Sequence, residues 1–221
     1  MYRKTILSNE QIYHVFNRGV EKRNIFTNKR EYQRAVDTIR YYQFSNPPYK
    51  FSRFLIQPSE KRAEILSSFQ RSSNRLVDIL AFCLMPNHFH LLLRQKMNQG
   101  ITIFMAKFTN SYTKYFNTRH ERVGPLVQGL FKSIWVEDDE QLIHLSRYIH
   151  LNPVMSYLTT EKDLASYRWS SFPEYLGISG FCEKQTVLSH FKSKSDYRQF
   201  VYDQISYKRN LDKIKELILE N

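Results

Sequence analysis

Residues 76–94 read LVDILAFCLMPNHFHLLLR, and this stretch decides the fold. The segment 76–84 is a nearly unbroken apolar run of strand length, the pattern of a buried strand. Met85, Pro86 and Asn87 interrupt it, and His88 to Arg94 resumes as a second strand. Two strands joined this tightly predict a hairpin or a bulged continuation. Upstream, QIYHVFNR (11–18) mixes β-branched and aromatic residues with polar ones and meets Gly19, which predicts a strand and a turn. Over 30–44, Tyr32, Val36, Ile39 and Tyr42 recur at helical spacing, with Asn28 as N-cap and Asn46, Pro47 and Pro48 as the stop. A second short helix is expected over 59–70, followed by a loop at Ser72–Asn74.

Downstream, Ile101, Phe104, Phe108, Tyr112 and Tyr115 mark one face of an amphipathic helix over 100–118. Val123, Gly124 and Pro125 punctuate the chain there. LVQGLFKSIWV (126–136) predicts a strand bent at its glycine, and 138–151 a helix opened by Asp138 and Asp139 and closed by Pro153. The element order is strand, helix, inserted helix, two strands, helix, strand, helix. That is an α+β domain, with an antiparallel or mixed sheet covered on one side. A looser extension follows Pro153, with one or two polar amphipathic helices expected over 195–220.

A chain of 221 residues suits one domain with an elaborated tail, and 42% hydrophobic content supports a real core. Lys plus Arg number 33 against 21 Asp plus Glu, a net charge of +12. Such a balance favours a polyanionic partner through phosphate neutralisation. Sixteen Phe and 15 Tyr offer stacking surfaces for unpaired bases, beside their ordinary use in a core. Two cysteines, Cys83 and Cys182, build no disulfide framework, and no C-x-x-C pair suggests zinc. No apolar run of membrane length and no apolar signal core occur, so a cytoplasmic protein of bacterial type, with access to the nucleoid, is expected.

Alternate residues of a strand share a face, so His88 and His90 point the same way, about 7 Å apart at Cα. Two imidazoles on one rigid strand are two-thirds of a facial metal site. A third, oxygen ligand with waters would suit Mn²⁺ or Mg²⁺. Equally, one histidine could cap the Asn87 turn while the other sits on a solvated face. In RYIHLNPV (147–154), Tyr148 and Asn152 stand one helical turn apart, with His144 a turn earlier. Asn152, before Pro153, is placed to offer its amide oxygen to an ion beside the Tyr148 phenol. The competing reading packs Tyr148 into the core and leaves Asn152 as a cap. His14 and His150 show no partner at useful spacing, and His120, between Arg119 and Arg122, fits a phosphate-contacting loop.

The strings FNRGVEKRNIF (16–26), FCLMPNHFHLLL (82–93), RVGPLVQGLFKS (122–133) and RYIHLNPV (147–154), in this order, resemble the single-tyrosine HUH transposases. They look most like the REP-associated branch, as does YRWSSFPEYLG (167–177). The resemblance covers about residues 8–180. It implies a ferredoxin-like sheet carrying His88 and His90 as metal ligands, Asn152 as the third ligand, Tyr148 as nucleophile, and a divalent Mg²⁺ or Mn²⁺ ion. The implied substrate is single-stranded DNA, often flanked by hairpins. Residues 1–180 would form the catalytic domain, with 45–75 as an insertion, and 181–221 a helical C-terminal extension. Arg18, Lys22, Arg23, Arg119 and Lys132 are candidate DNA contacts, against a solvated basic turn for the first three.

The expected activity is DNA cleavage and strand transfer through a 5′-phosphotyrosine. A phenol in water, with a pKa of about 10, is only about one part in a thousand ionised at pH 7. The ion would therefore act mainly by polarising the scissile phosphate. The covalent link keeps the bond energy for rejoining, so strand transfer needs no ATP. Two other readings stay open: a non-catalytic, domesticated regulator that binds hairpin DNA or RNA, and a metal phosphodiesterase that uses water. A monomer and a homodimer, with the tyrosine helix serving either chain, are both compatible with the sequence.

Overall fold

The computed structural model describes residues 6–71 and 74–205. Its centre is a four-stranded sheet of β1 (Ile12–Arg18), β2 (Val77–Met85), β3 (His88–Gln95) and β4 (Lys132–Trp135), in the order β2-β3-β1-β4 and antiparallel throughout. Helices α1 (Lys29–Tyr42) and α4 (Gly100–Arg119) connect the strands in the ferredoxin-like β-α-β-β-α-β order. Helices α2 (Phe51–Leu55) and α3 (Ser59–Arg71) intervene between α1 and β2. After β4 come α5 (Asp139–Met155), α6 (Phe172–Tyr175), α7 (Gln185–Leu188) and a last helix, α8, over 194–205. The rest of the expected tail helix, beyond residue 205, lies outside the described residues.

Residues 85–88 form the expected hairpin. Met85 pairs with His88 across the turn at Pro86 and Asn87, and the register runs from there to Val77 and Gln95, with one irregularity between Ile79 and Ala81. Asn28 caps α1 as expected, its side chain accepting from the Glu31 N–H at 3.1 Å.

The sheet is covered on both faces, not one. All nine residues of β2 are buried, as its unbroken apolar run requires when both faces are packed. Val15, Phe89, Leu91 and Leu93 join Ala35 and Ile39 of α1 and Phe104 and Phe108 of α4 in one core. Leu80, Cys83 and Leu92 face the other way, into a second core with Leu142 and Ile149 of α5, Phe172, and Tyr197 and Val201 of α8. The edge of β2 is closed by residues 169–171: Leu84 N–H donates to Trp169 O (2.8 Å) and Ser171 N–H to Phe82 O (3.0 Å), so its backbone is not left open for further pairing.

Three boundaries differ from the sequence reading. The helix α1 ends at Tyr42, before the prolines, and the short α2 follows them. The strand expected over 126–136 is reduced to Lys132–Trp135. Gly129 takes a positive φ of 41°, a conformation that breaks extended pairing, and upstream only Val127 makes an isolated bridge, to Gly19. Finally, α5 runs through Pro153 to Met155. Proline removes one N–H and crowds the carbonyl four residues back, but here only two residues of helix remain. Asn152 steadies that turn by donating from Nδ2 to the Tyr148 carbonyl at 2.8 Å.

Candidate active site

The register places two histidines of β3 and one of β1 on the face covered by α5. Phe16 lies opposite His90 and Arg18 opposite His88, so these four side chains share a face with His14, two residues before Phe16. Lys132 on the edge strand lies opposite Phe16 and continues the row. The rings of His88 and His90 stand at right angles with centroids 5.0 Å apart.

Tyr148 comes to this cluster from α5 of the same chain. Its ring stands edge-on to His90, with centroids 5.5 Å apart, and to His14 at 6.2 Å. The side chain is 50% exposed, so it is not the core tyrosine of the competing reading. Its rotation about the helix axis is set from behind. His150, two positions on and about 200° round the helix, is fully buried. One ring nitrogen meets the Tyr197 hydroxyl and the other Ser171 Oγ, both at 2.7 Å. Ser171 is in turn bonded to the Phe82 backbone of β2 (2.9 Å), and Tyr197 to Ser146 (3.1 Å). That chain fixes α5 between α8 and the sheet and turns Tyr148 toward the histidines.

Both β3 histidines have one ring nitrogen occupied. Asn87 Oδ1 lies 2.6 Å from His88 Nδ1, and the Asn87 amide is oriented by donation from Nδ2 to the Lys22 carbonyl (3.2 Å). An amide oxygen only accepts, so His88 Nδ1 carries the proton and Nε2 keeps its lone pair. His14 Nε2 lies 2.9 Å from His90 Nδ1, with the two rings stacked. When His90 Nδ1 donates in that bond, His90 Nε2 likewise keeps its lone pair.

Burial disfavours the charged ring in all three. His14 is pushed down to about 4, as is His88, with help from Arg18. His90 is pushed down to about 3 by burial, then by His14, His88 and Arg18. All three are neutral near pH 7, the state in which imidazole binds a metal.

The partner of His90 is the residue that sequence spacing missed. His14 and His90 are 76 positions apart, and only the β1–β3 register joins them. The available signal was the alternation in IYHVFNR, which puts His14 and Phe16 on one face of a strand.

Among the described residues, no three His, Cys, Asp or Glu side chains converge to hold a metal. For an ion on His88 and His90, a third ligand would have to come from an amide, a hydroxyl or water. Asn152 shares a face of α5 with Tyr148 and is buried. Its Nδ2 is committed to the Tyr148 carbonyl, so the oxygen is the end of the amide left for a ligand. By donor type, two neutral imidazoles and an amide oxygen suit a divalent cation, and Asn152 is tied to the cluster through the Tyr148 carbonyl.

The segment 16–26 wraps the turn that enters β3. Gly19 N–H donates to Asn87 O (2.8 Å), and Ile25 and Phe26 N–H both donate to Pro86 O (2.7 and 3.0 Å). A Cβ at Gly19 would lie 2.3 Å from Arg23 O, so only glycine lets the loop close this tightly. Lys22 enters the clamp through its carbonyl, and its side chain is exposed. Arg23 is held by Glu21 (2.7 Å) and Val20 O (3.1 Å). Arg18 and Lys132 are exposed at the rim of the histidine face. Arg119 lies apart from it, 3.8 Å from Glu31 on the α1–α4 side. His120 is not a free loop residue: it bonds Glu31 (2.6 Å) and stacks on Phe116. His144 is exposed and bonds Arg147 (2.6 Å).

The antiparallel ferredoxin-like fold has a counterpart among solved structures. A REP-associated tyrosine transposase bound to a REP hairpin shares the fold, with a TM-score of 0.50, 13% identity, and coverage of 82% of this chain and 89% of that one. The family model described as "Transposase IS200 like" matches residues 8–152, from just before β1 to Asn152, and the chain belongs to that family. No curated protein matches it. No helix among the described residues is long and apolar enough to cross a membrane.

Proposed function

We propose that the protein is a metal-dependent tyrosine transposase of the REP-associated type, which cleaves and rejoins single-stranded DNA flanked by hairpins. The observation that carries this reading is the half-exposed Tyr148 ring standing edge-on to His90 within one chain. The solved relative supports hairpin DNA as the partner, since it is itself bound to a REP hairpin.

His88, His90 and Asn152 would hold Mg²⁺ or Mn²⁺. A divalent ion held there would supply a Lewis acid for the scissile phosphate. Arg18 and Lys132, on the rim, draw the strand across the histidine face. The Tyr148 phenol oxygen attacks the phosphorus in line. A tyrosine O–P bond forms, the P–O3′ bond breaks, the phenol gives up its proton, and the leaving 3′ oxygen takes one. The product is a 5′-phosphotyrosine and a free 3′-OH. Attack by another 3′-OH reverses these steps on a new strand. Because histidines and tyrosine come from one chain, the proposed site is complete in a monomer.

The test is Tyr148→Phe, incubated with hairpin-flanked single strands and Mn²⁺ and run on denaturing gels. The wild type forms a protein–DNA adduct and the variant forms none while still binding. An adduct that persists in the variant removes Tyr148 as nucleophile. Cleavage by the wild type without any adduct points to water instead.

A further inference from the structure

A groove of about 1150 Å³ lies between α1, α4 and the arc 45–56 that contains α2. It sits on the α1–α4 side of the sheet, so the helix layer and the sheet separate it from the histidines. Five cations line it, Arg34, Lys50, Lys107, Lys114 and Arg119, and no carboxylate does. Two carboxylates outside the lining reach its cations: Glu31, 3.8 Å from Arg119, and Asp37, which interacts electrostatically with Arg34.

The groove is built around these charges. The Arg34 guanidinium lies over the rings of Phe51 (4.5 Å) and Tyr115 (4.8 Å). Arg34 Nε and the Tyr115 hydroxyl are both buried without a hydrogen-bond partner, a cost that a polar ligand or ordered water would relieve. The half-buried Lys107 ammonium donates to the Ser45 carbonyl at 2.7 Å, which ties the arc to α4 and keeps a positive charge in the floor. Burial lowers the pKa of Lys107. At the mouth, Lys50 and Lys114 are exposed, and Tyr49 presents a ring that is 37% exposed. Cations following one wall, with an accessible aromatic ring beside them, match the way unpaired nucleic acid is held: phosphates on charge and bases on π-faces.

We infer that this groove is a second DNA site, which takes an unpaired stretch of the substrate strand on the face opposite the tyrosine. Lys50, Lys107 and Lys114 contact phosphates, and a base stacks on Tyr49. The inference rests on the proposed function only for the choice of DNA as the polyanion. Its consequence is a division of labour: the histidine face does chemistry on one segment while the groove anchors another, and long strands are held better than short ones.

The experiment uses the full chain with Lys50→Ser and Lys114→Ser combined, and separately Tyr49→Ala, all exposed positions. Binding is read by fluorescence anisotropy against salt. One probe is a hairpin with a long single-stranded extension, and the other has that extension trimmed to the cleaved segment. The double variant is expected to bind the long probe severalfold more weakly, with a log K against log salt slope shallower by about 1.4, two lost single-strand phosphate contacts at about 0.7 each. The short probe should bind as to wild type. Tyr49→Ala should weaken the long probe without changing its slope. Unchanged binding of the long probe, an equal loss on both probes, or a loss confined to an RNA version of the long probe would each overturn the inference. Adduct formation with the short probe is measured in parallel. If no protein forms adducts yet the long-probe loss remains, the reading of Tyr148 fails while the groove stands.

Discussion

His14 invites a substitution whose effect can be worked out from its bond to His90. A metal taken on His90 Nε2 obliges Nδ1 to carry the proton, and His14 Nε2, 2.9 Å away, is the acceptor for it. In His14→Phe the ring volume stays and the acceptor is gone. Without metal the cost is small, because His90 can move its proton to Nε2 and leave Nδ1 unprotonated. With metal bound that escape is closed, and a buried N–H is left without a partner at about 1–3 kcal/mol. The penalty therefore falls on the metal complex, corresponding to roughly 10- to 100-fold in affinity, the usual worth of a partner behind a ligating histidine. Calorimetric titration with Mn²⁺ measures it directly. Metal-free thermal melts check that the fold has not simply weakened, and His14→Gln, whose amide oxygen accepts, should recover part of the loss. If His14→Phe binds Mn²⁺ within threefold of wild type while folding normally, His14 does not orient His90 and the reasoning is wrong.

Other outcomes follow from the same geometry. Because Tyr148 and His90 meet within one chain, mixing Tyr148→Phe with His90→Ala should not restore adduct formation; recovery in the mixture would mean that the helix of one chain serves another. His150 is buried and held down to about 3 from 6.5, so the unfolded chain takes its proton first. Its contribution is whole above about pH 6.5 and is lost as the pH falls toward 3. One such group gives a slope of about 1.4 kcal/mol per pH unit, or about 2 kcal/mol by pH 5. In urea titrations at pH 7 and 5, His150→Leu should be less stable at pH 7 yet lose less on acidification than wild type. An equal loss in both proteins would show that His150 does not stay neutral in the fold.

What was legible in the sequence was local. The alternation in HFHLLL puts His88 and His90 on one strand face without knowledge of the partner strands, and the turn at Pro86 and Asn87 fixes where that strand begins. Tyr148 and Asn152 share a helix face by spacing alone. What depended on register or on long-range packing was not legible. His14 is useful only because β1 pairs with β3 so that Phe16 meets His90. His150 becomes a packing residue only once Tyr197 and Ser171 are brought to it. Pro153 reads as a stop in the sequence, because the rule that proline ends helices takes no account of how near the helix already is to its end. The reduced β4 follows from Gly129, whose positive φ a sequence reading can anticipate only as a bend.

The strings that carried the family resemblance turn out to be mostly scaffolding around few chemical groups. Residues 16–26 clamp the Pro86–Asn87 turn through backbone bonds and hold the amide that fixes the His88 proton. The 167–177 stretch seals the edge of β2 and, through Ser171, holds the back of α5. Apart from the Phe16 ring against His14 and His90, and Arg18 at the rim, neither contributes a side chain to the histidine–tyrosine cluster, yet each sets the position of one that does. A site that needs three rings from three elements at fixed angles tolerates little slack in the elements themselves. A sequence pattern specific to such a site therefore has to extend well beyond the residues that do the chemistry.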